Sequence, residues 1–455
     1  MRAASHSAIV RPRAHVAREE PIGDLDLKQC PRFSTAAASV LFFAVSVSAC
    51  GGGSDNAGVS AAAPPPAPVP APPPAPPPAP PPVPPPAGAA DACPSTSGRT
   101  LQVGPGKTYP TLSAAAAVAQ AGDRILIAPD DYRGDVATWT ASNLTICGDG
   151  GRARLFADSQ HAQGKGTWVI SNPSTSTTTI INVEFRDAKV PDQNGAGIRW
   201  EGGNLTLRNT GFFDNENGIL GDAGPVIATI ERSEFARNGF GDGYTHNIYI
   251  GNVNRLNVIA SHFHEAKIGH NLKSRAKENY IENSYFMDGP TGTSSYLLDF
   301  PDGGVVFMRG NLLHKGPRAE NTAAISFGAE RNVWTANTVT MTHNTVVSTL
   351  GRGTFVAVAG YTQQVTLAAN LFAGNATLIS GISGAGLVQS GNVMTAATSI
   401  PGADTGQFWP TAAVLPQLVL GTAPDPQYAY DSPQPFMLRA LPASARLTGA
   451  LQLQP

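Results

Sequence analysis

The sequence predicts an all-β fold, a single-stranded parallel β-helix, on two observations. Short apolar–polar motifs recur at intervals of about 22–27 residues, roughly the length of one coil in such a fold. Glycine is abundant, with 48 residues, and only 14% of the 455 residues are charged, which suits β-structure with many turns. A β-propeller would need repeats of about 40–50 residues, so the spacing argues against it.

The repeat unit is an apolar residue, two polar or small residues, Asn, Ser or Thr, and an apolar pair. We interpret its apolar residues as the filling of the bore and its polar residue as a turn residue bonded to the next coil. The repeats are residues 207–212, 230–235, 259–263 (one residue shorter), 281–286, 308–313, 341–346 and 367–372. The asparagines expected to form this turn ladder, with no catalytic part, are Asn283, Asn311, Asn344 and Asn370.

Four strands between residues 246 and 327 can be stacked so that their apolar residues form two columns. The apolar columns are Ile248, Leu272, Leu298 and Ile325, and Ile250, Ser274, Phe300 and Phe327. Because side chains alternate between the faces of a strand, the residues between the columns are expected to point outward. Those residues are Asn247, Tyr249, Asn271, Lys273, Arg275, Leu297, Asp299, Ala324 and Ser326. Such a polar face is typical of a polysaccharide-binding groove.

The net charge of −2 predicts no overall attraction to nucleic acid or to acidic lipid. An anionic substrate would therefore need a local cluster of cations. Lys267, Lys273, Arg275 and Lys277 lie within eleven residues and supply one. We expect an acidic polysaccharide as the partner, no nucleic acid, and a monomer.

We expect the first 92 residues to comprise an export leader and a linker, ahead of the folded domain. Residues 36–49 form an apolar run too short to span a bilayer. It ends in Val-Ser-Ala-Cys50 and resembles a bacterial lipobox, which implies a leader over residues 1–50, lipidation of Cys50 and an outer-membrane or cell-surface lipid anchor. An ordinary signal peptide cut nearby is the alternative. Residues 51–92 are a Gly/Pro/Ala-rich disordered linker whose proline run extends at ~3.1 Å per residue.

The remaining chain is expected to form one exported domain in the cell envelope or outside the cell. We place the parallel β-helix at residues 93–400 and a C-terminal tail packed on it at 401–455. Export would allow a disulfide between Cys93 and Cys147, since the four cysteines match no zinc pattern.

The start of the folded part has a short strand, an Ala-rich helix at residues 113–120 and a second strand at 123–129. With its Tyr-Pro-Thr-Leu and Gly-Asp motifs, this segment resembles the N-terminal cap of β-helices of the pectate-lyase type. The resemblance implies a right-handed single-stranded parallel β-helix with an N-terminal capping helix, whose amphipathic helix covers the core of the first coil.

Residues 269–283 carry the most distinctive motif, a Lys-Ser pair followed by Asn, Ile and Asn. It resembles the catalytic strand of the β-helical chondroitinase B and alginate lyase family, in which a lysine is the base and a downstream arginine the acid. The resemblance implies that Lys273 is the base. The family's arginine on the next coil has no counterpart here, because that coil carries Asp299 and Asp302 instead.

The same segment is similar to β-helical mannuronan C5-epimerases, with His246, His270 and Arg275 as counterparts of their His and Arg residues. Both families begin by removing the C5 proton of a uronic acid, which needs a base and a group that stabilises the developing enolate.

We therefore expect Lys273 as base, if Arg275 and burial lower its pKa, and Arg275 as a bidentate clamp on the carboxylate. Tyr249 or His246 would protonate the leaving oxygen. Side chains expected to bind the sugar are Asn247, Asn271, His270, Asp299 and Asp302. A hydrogen-bonded core pair is the alternative role for His246 and His270.

Other chemistries remain open on the sequence. A glycoside hydrolase would use paired carboxylates, for which Asp299 and Asp302 are available, with Asp288 and Glu320 further away. No cofactor is expected, with calcium on the same two aspartates as the alternative. We predict no metal site, since His262 and His264 alone are too few ligands.

Our leading interpretation is a polysaccharide lyase that cleaves a uronate-containing polymer by β-elimination. A C5-epimerase, a β-helical hydrolase and a non-catalytic carbohydrate-binding or surface protein are the alternatives.

Overall fold

The computed structural model describes residues 92–221, 224–415, 419–420, 428–430, 438–440 and 446–452. The predictions for the leader, for Cys50 and for the linker up to residue 91 lie outside the described residues. Within the described ranges, no helix combines the length and the apolar character needed to cross a membrane.

Ten coils form the body of the molecule, and each adds one strand to each of three parallel sheets. The sheets have twelve, eleven and ten strands, and we call them the first, second and third sheet in the order in which the chain enters them. The predicted all-β fold, a right-handed parallel β-helix, is confirmed by this arrangement.

The strand bounds follow the coil repeat along the chain. The first sheet comprises Thr100–Val103, Arg124–Ile127, Thr145–Gly148, Thr177–Ile181, Asn204–Arg208, Ile227–Glu231, Arg255–Ile259, Glu278–Glu282, Val305–Arg309, Thr338–Thr342, Gln364–Ala368 and Leu387–Ser390. The second sheet comprises Asp131–Arg133, Ala153–Phe156, Val183–Arg186, Gly211–Phe213, Glu234–Ala236, His262–His264, Tyr285–Met287, Leu312–Lys315, Thr345–Ser348, Leu371–Ala373 and Val393–Thr395. The third sheet comprises Ala137–Trp139, Gly166–Ser171, Ala196–Gly202, Asn217–Gly221, Ile248–Ile250, Leu272–Ser274, Leu298–Phe300, Ala323–Phe327, Thr354–Val358 and Thr377–Ser380.

The remaining described elements are short. The helices are Leu112–Ala116 and the 3₁₀ turns Gly384–Gly386, Ala397–Ser399 and Ala403–Thr405. Two antiparallel pairs join Val419–Leu420 to Arg446–Leu447 and Tyr428–Tyr430 to Leu438–Ala440.

A column of phenylalanine rings runs through the bore beside the second sheet. Neighbouring rings are 4.6–5.0 Å apart between centroids and nearly parallel, and all are fully buried. The rings belong to Phe185, Phe212, Phe235, Phe263 and Phe286. Because each of these five coils places one ring directly over the last, burial and ring packing help to fix the register between them.

The turn between the first and second sheets carries the predicted ladder. Asn344 donates to the Asn370 side-chain oxygen at 2.9 Å and accepts from the Asn311 side chain at 2.8 Å. Asn283 is not a ladder residue, and that prediction is wrong. It has a left-handed φ of 46°, and the neighbouring Ser284 takes the ladder position instead. The turn at this corner of the coil requires a residue in the left-handed conformation, and Asn283 adopts it.

The repeat predicted at residues 259–263 is one residue longer in the structure. Val258, not Ile259, pairs with Ile230 on the preceding coil, and Phe263 pairs with Phe235. The unit therefore spans residues 258–263 and has the same length as the others.

The N-terminal helix is shorter than predicted, ending at Ala116 rather than residue 120. The Thr111 side chain caps it by accepting from the Ala114 N–H, and Leu112 and Ala115 are buried against the first coils. The structure also contains the Cys93–Cys147 disulfide, with Cα atoms 5.8 Å apart.

The described part of the C-terminal segment packs on the outer face of the second sheet. Its apolar side chains meet those of the sheet in a second core, separate from the bore. The segment contributes Ile400, Ala403, Phe408, Val414, Leu447, Ala450 and Leu451, and the sheet contributes residues such as Tyr285, Leu312 and Leu371.

Candidate functional site

The third sheet brings the predicted charged residues together on its outer face. Tyr249 pairs with Lys273, Lys273 with Asp299, and Asp299 with Ser326 on successive coils. The alternate residues of these strands are buried in the bore, as the predicted register requires. Lys273 and Asp299 therefore lie side by side on one wall of the solenoid.

Asn247 and Asn271 do not face this wall, and the prediction that they point outward is wrong. Both are fully buried, and Asn247 donates to the Asn271 side-chain oxygen at 2.7 Å. Asn238 donates in turn to Asn247 at 2.8 Å, so these asparagines form a second ladder inside the turn. The strands begin only at Ile248 and Leu272, and the preceding residues do not follow strand alternation. Leu297 is buried for the same reason.

His246 and His270 lie beneath the wall as a stacked pair, with ring centroids 4.7 Å apart. The His270 backbone N–H donates to His246 Nδ1, and the Tyr296 N–H donates to His270 Nδ1. These bonds place the proton of each neutral ring on Nε2. Burial holds the pKa of both imidazoles well below the usual range. His246 is only 2% exposed, so the structure realises the core-pair alternative for it.

Asp299 is the buried acid of the wall. His270 Nε2 lies 3.5 Å and Lys273 Nζ 3.6 Å from its Oδ2 atom. Burial raises the pKa of this carboxyl to about 6, and the nearby Lys273 charge limits the rise. Asp299 therefore loses its proton in a pH range in which exposed aspartates are already fully ionised.

Arg275 follows Lys273 by two residues, just past the end of the strand Leu272–Ser274, and three side chains bind its guanidinium group. Its Nε donates to the Tyr249 hydroxyl at 2.8 Å, and its two terminal nitrogens pair with Asp302 and Glu330. Asp302 is completely buried and also pairs with Arg331 at 2.7 Å. The predicted carboxylate clamp therefore holds carboxylates supplied by the chain itself.

Glu330 and Arg331 come from a loop, residues 328–337, that folds over the wall between two strands. Glu330 Oε1 lies 2.7 Å from Lys273 Nζ, and its Oε2 lies 2.5 Å from Arg275 Nη2. One carboxylate thus bridges the two cations, with 42% of its side chain exposed above them, whereas each cation is 12% exposed.

Backbone contacts hold this loop in place. The N–H groups of Glu330 and Arg331 both donate to the Pro301 carbonyl. Trp334 Nε1 donates to the Arg275 carbonyl at 3.1 Å. Glu330 and Arg331 are not among the predicted site residues. They lie in an insertion that lengthens the interval between Asn311 and Asn344 to 33 residues, and that interval is the signal that could have pointed to them.

The paired-carboxylate hypothesis does not fit Asp302, because its oxygens are bound by Arg275 and Arg331 and it has no exposed surface. A calcium site on Asp299 and Asp302 does not fit either. Arg275 and Arg331 hold the Asp302 oxygens, and Lys273 lies 3.6 Å from Asp299 Oδ2, whereas calcium needs oxygen ligands around both carboxylates.

Asp288 is also outside the wall network. It is buried against Lys315, whose Nζ lies 3.8 Å away, and accepts from the Gly316 N–H. We assign this ion pair a structural part, since neither residue is exposed.

Asp299→Asn is expected to change how stability depends on pH. The native carboxyl holds its proton more tightly than the unfolded one, whose pKa is about 3.9. Raising the pH from 4 to 7 therefore destabilises the native chain through Asp299, on the order of 2 kcal/mol, and the asparagine variant escapes this loss. Chemical denaturation at several pH values measures the difference.

Asp192→Asn, at an exposed aspartate, is the matched control and should track the unmodified chain. A constant difference between Asp299→Asn and the unmodified chain from pH 4 to 7 would contradict the raised pKa.

Comparison with known proteins identifies no family for this chain. No protein-family model and no curated protein matches the chain. The chain is similar to the crystal structure of pectate lyase Pel9A, at 17% identity and a TM-score of 0.45, over 64% of this chain and 79% of that one. At this level the likeness carries no argument about the activity of the chain, and the fold rests on the sheets described above.

Proposed function

We propose that the protein is a polysaccharide lyase that binds a uronate carboxylate between Lys273 and Arg275 and cleaves the polymer by β-elimination. The observation that carries this proposal is the Glu330 carboxylate, which bridges the two cations at 2.7 and 2.5 Å. A uronic acid presents the same chemical group. Displacing the Glu330 side chain exposes a lysine and an arginine set to hold a carboxylate at the outer face of the solenoid.

The elimination assigns a separate task to each side chain. Arg275 holds the carboxylate during the reaction and stabilises the negative charge that develops on it, while the Lys273 amine gives up its own proton to solvent and then takes the C5 proton. The C4–O bond then breaks as the C4–C5 double bond forms. The Tyr249 hydroxyl, hydrogen bonded to Arg275, is the group placed to protonate the leaving oxygen.

A second candidate is a non-catalytic carbohydrate-binding or surface protein. The observation that favours it is the saturation of the network, because Lys273, Arg275 and Arg331 all already have carboxylate partners. A wall of this kind would stabilise the coil without reacting. The two candidates differ in whether an acidic polymer displaces Glu330 and is then cleaved.

The test is a substrate panel of alginate, pectate and glycosaminoglycans, followed through the ultraviolet absorbance of unsaturated chain ends. We expect one polymer to give unsaturated ends. We also expect Glu330→Gln to raise kcat/KM for it roughly tenfold, because the neutral amide competes less for the two cations. Glu320→Gln, at an exposed acid ahead of the loop, is the matched control and should leave kcat/KM unchanged.

Other outcomes point elsewhere. New reducing ends without unsaturation indicate a hydrolase, and inversion at C5 without cleavage indicates an epimerase. No reaction on any polymer, in either the unmodified chain or Glu330→Gln, contradicts the lyase and favours the non-catalytic protein.

A further inference from the structure

A second group of polar side chains lies on a different wall, the outer face of the second sheet. His262 and His264 flank Phe263, which points into the bore, so both imidazoles point outward. Glu234 pairs in register with His262 from the preceding coil. One ring nitrogen of each histidine and one carboxylate oxygen of Glu234 lie within 4.8 Å of one another.

Two of the three potential metal ligands contact each other, and the third has a ring nitrogen without a partner in the described part of the chain. His264 Nε2 lies 3.2 Å from Glu234 Oε1, and the two imidazole rings stack at 4.3 Å. His262 Nε2 is buried and has no hydrogen-bond partner among the described residues. A buried nitrogen left without a partner costs free energy, which a bound ion would recover.

Glu265 completes the arrangement from outside. Its Oε2 lies 3.0 Å from His264 Nδ1. A carboxylate on one ring nitrogen fixes the orientation of the imidazole and strengthens the other nitrogen as a ligand, as it does beside many metal-bound histidines.

The neighbouring cations have carboxylate partners of their own. Arg237 pairs with Asp214 at 2.9 Å, and Lys267 lies 3.7 Å from the same carboxylate. Arg152 lies 3.6 Å from Glu184, which is two coils before Glu234. Their positive charge is therefore partly neutralised next to the three side chains.

We propose that Glu234, His262 and His264 form a binding site for a divalent transition-metal ion, with Glu265 as a positioning residue. Two imidazoles and one carboxylate are a ligand set typical of zinc, and they leave a further position open to water or to a ligand. The ion takes the place of the hydrogen bond between His264 and Glu234. Zinc–ligand distances of about 2.0–2.2 Å require the three side chains to converge by small rotations.

The site differs from the charged wall in ligand chemistry as well as in place. Imidazole nitrogens favour transition metals, whereas calcium and magnesium favour oxygen ligands. Neither Lys273 nor Arg275 takes part in it. The test of the metal site is therefore independent of the test of the lyase.

Zinc titration of the full chain, produced without a histidine tag and stripped with a chelator, tests the site by calorimetry. We expect one zinc ion per chain, retained in the presence of millimolar calcium and magnesium. His262→Ala, His264→Ala and Glu234→Gln should each weaken binding by more than about 100-fold, and Glu265→Gln by about 10–100-fold. The absorption spectrum of bound cobalt, a second probe, should change with the same variants.

His161→Ala, at a histidine outside the group, is the matched control and should bind zinc normally. Circular dichroism separates loss of the ion from loss of the fold, and Glu234→Gln preserves the side-chain shape. The proposal is overturned by absence of zinc binding, or by binding that survives in folded His264→Ala and Glu234→Gln.

Discussion

Replacing Lys273 with alanine is expected to lower the rate of elimination by about 10²–10⁴-fold, the usual contribution of a positioned acid–base group. Lys273 Nζ lies 2.7 Å from the Glu330 carboxylate, and a uronate carboxylate in that place brings the adjoining C5 proton close to Lys273. The rate of formation of unsaturated ends on the preferred polymer measures the effect.

Lys107→Ala provides the control, because Lys107 is an exposed lysine near the start of the β-helix and outside the cation cluster. It should retain full activity. Lys273→Ala removes the charge that limits the pKa of Asp299, so the pKa of that buried carboxyl rises further and it takes up a proton more readily in the folded chain. A folded Lys273→Ala protein with unchanged activity would refute the assignment of the base.

Asp302→Ala should destabilise the protein by roughly 3–5 kcal/mol, as expected when a buried ion pair loses one partner. The Asp302 side chain is fully buried between Arg275 and Arg331, and Asn252 Nδ2 lies 3.4 Å from it. Its removal leaves the Arg275 guanidinium with a single carboxylate in a mostly buried position. Denaturant unfolding of the two proteins gives the difference.

The isosteric Asp302→Asn keeps an acceptor and should cost less than the alanine variant. Asp192→Ala, on an exposed loop, should change the free energy of unfolding by no more than about 0.5 kcal/mol. Equal stability of Asp302→Ala and Asp192→Ala would show that the two arginines do not depend on this carboxylate.

The fold could be predicted because the interactions that define it recur in every coil. Phe212, Phe235 and Phe263 stand at matching positions of the repeat, and the structure stacks them. Errors arose where alternation was carried past the end of a strand. Asn247 and Asn271 precede strands only three residues long, and the turn directs them inward.

The candidate site could be predicted only in its local part. The register that pairs Lys273 with Asp299 follows from the coil length, so the sequence contains it. The contact of Glu330 with both cations depends on how an insertion more than fifty residues away folds back. The approach of Glu234 to His262 and His264 is also a contact between coils, and two histidines alone gave no sign of the third ligand.

The phenylalanine column has a consequence for how such a molecule changes size. Since five successive coils each contribute one ring to the column, excision or duplication of one whole coil among them preserves an unbroken stack of rings, whereas removal of a few residues would open a gap in it. The length of this architecture therefore changes in steps of one coil, and the outer wall can be lengthened without a change in the packing of the bore.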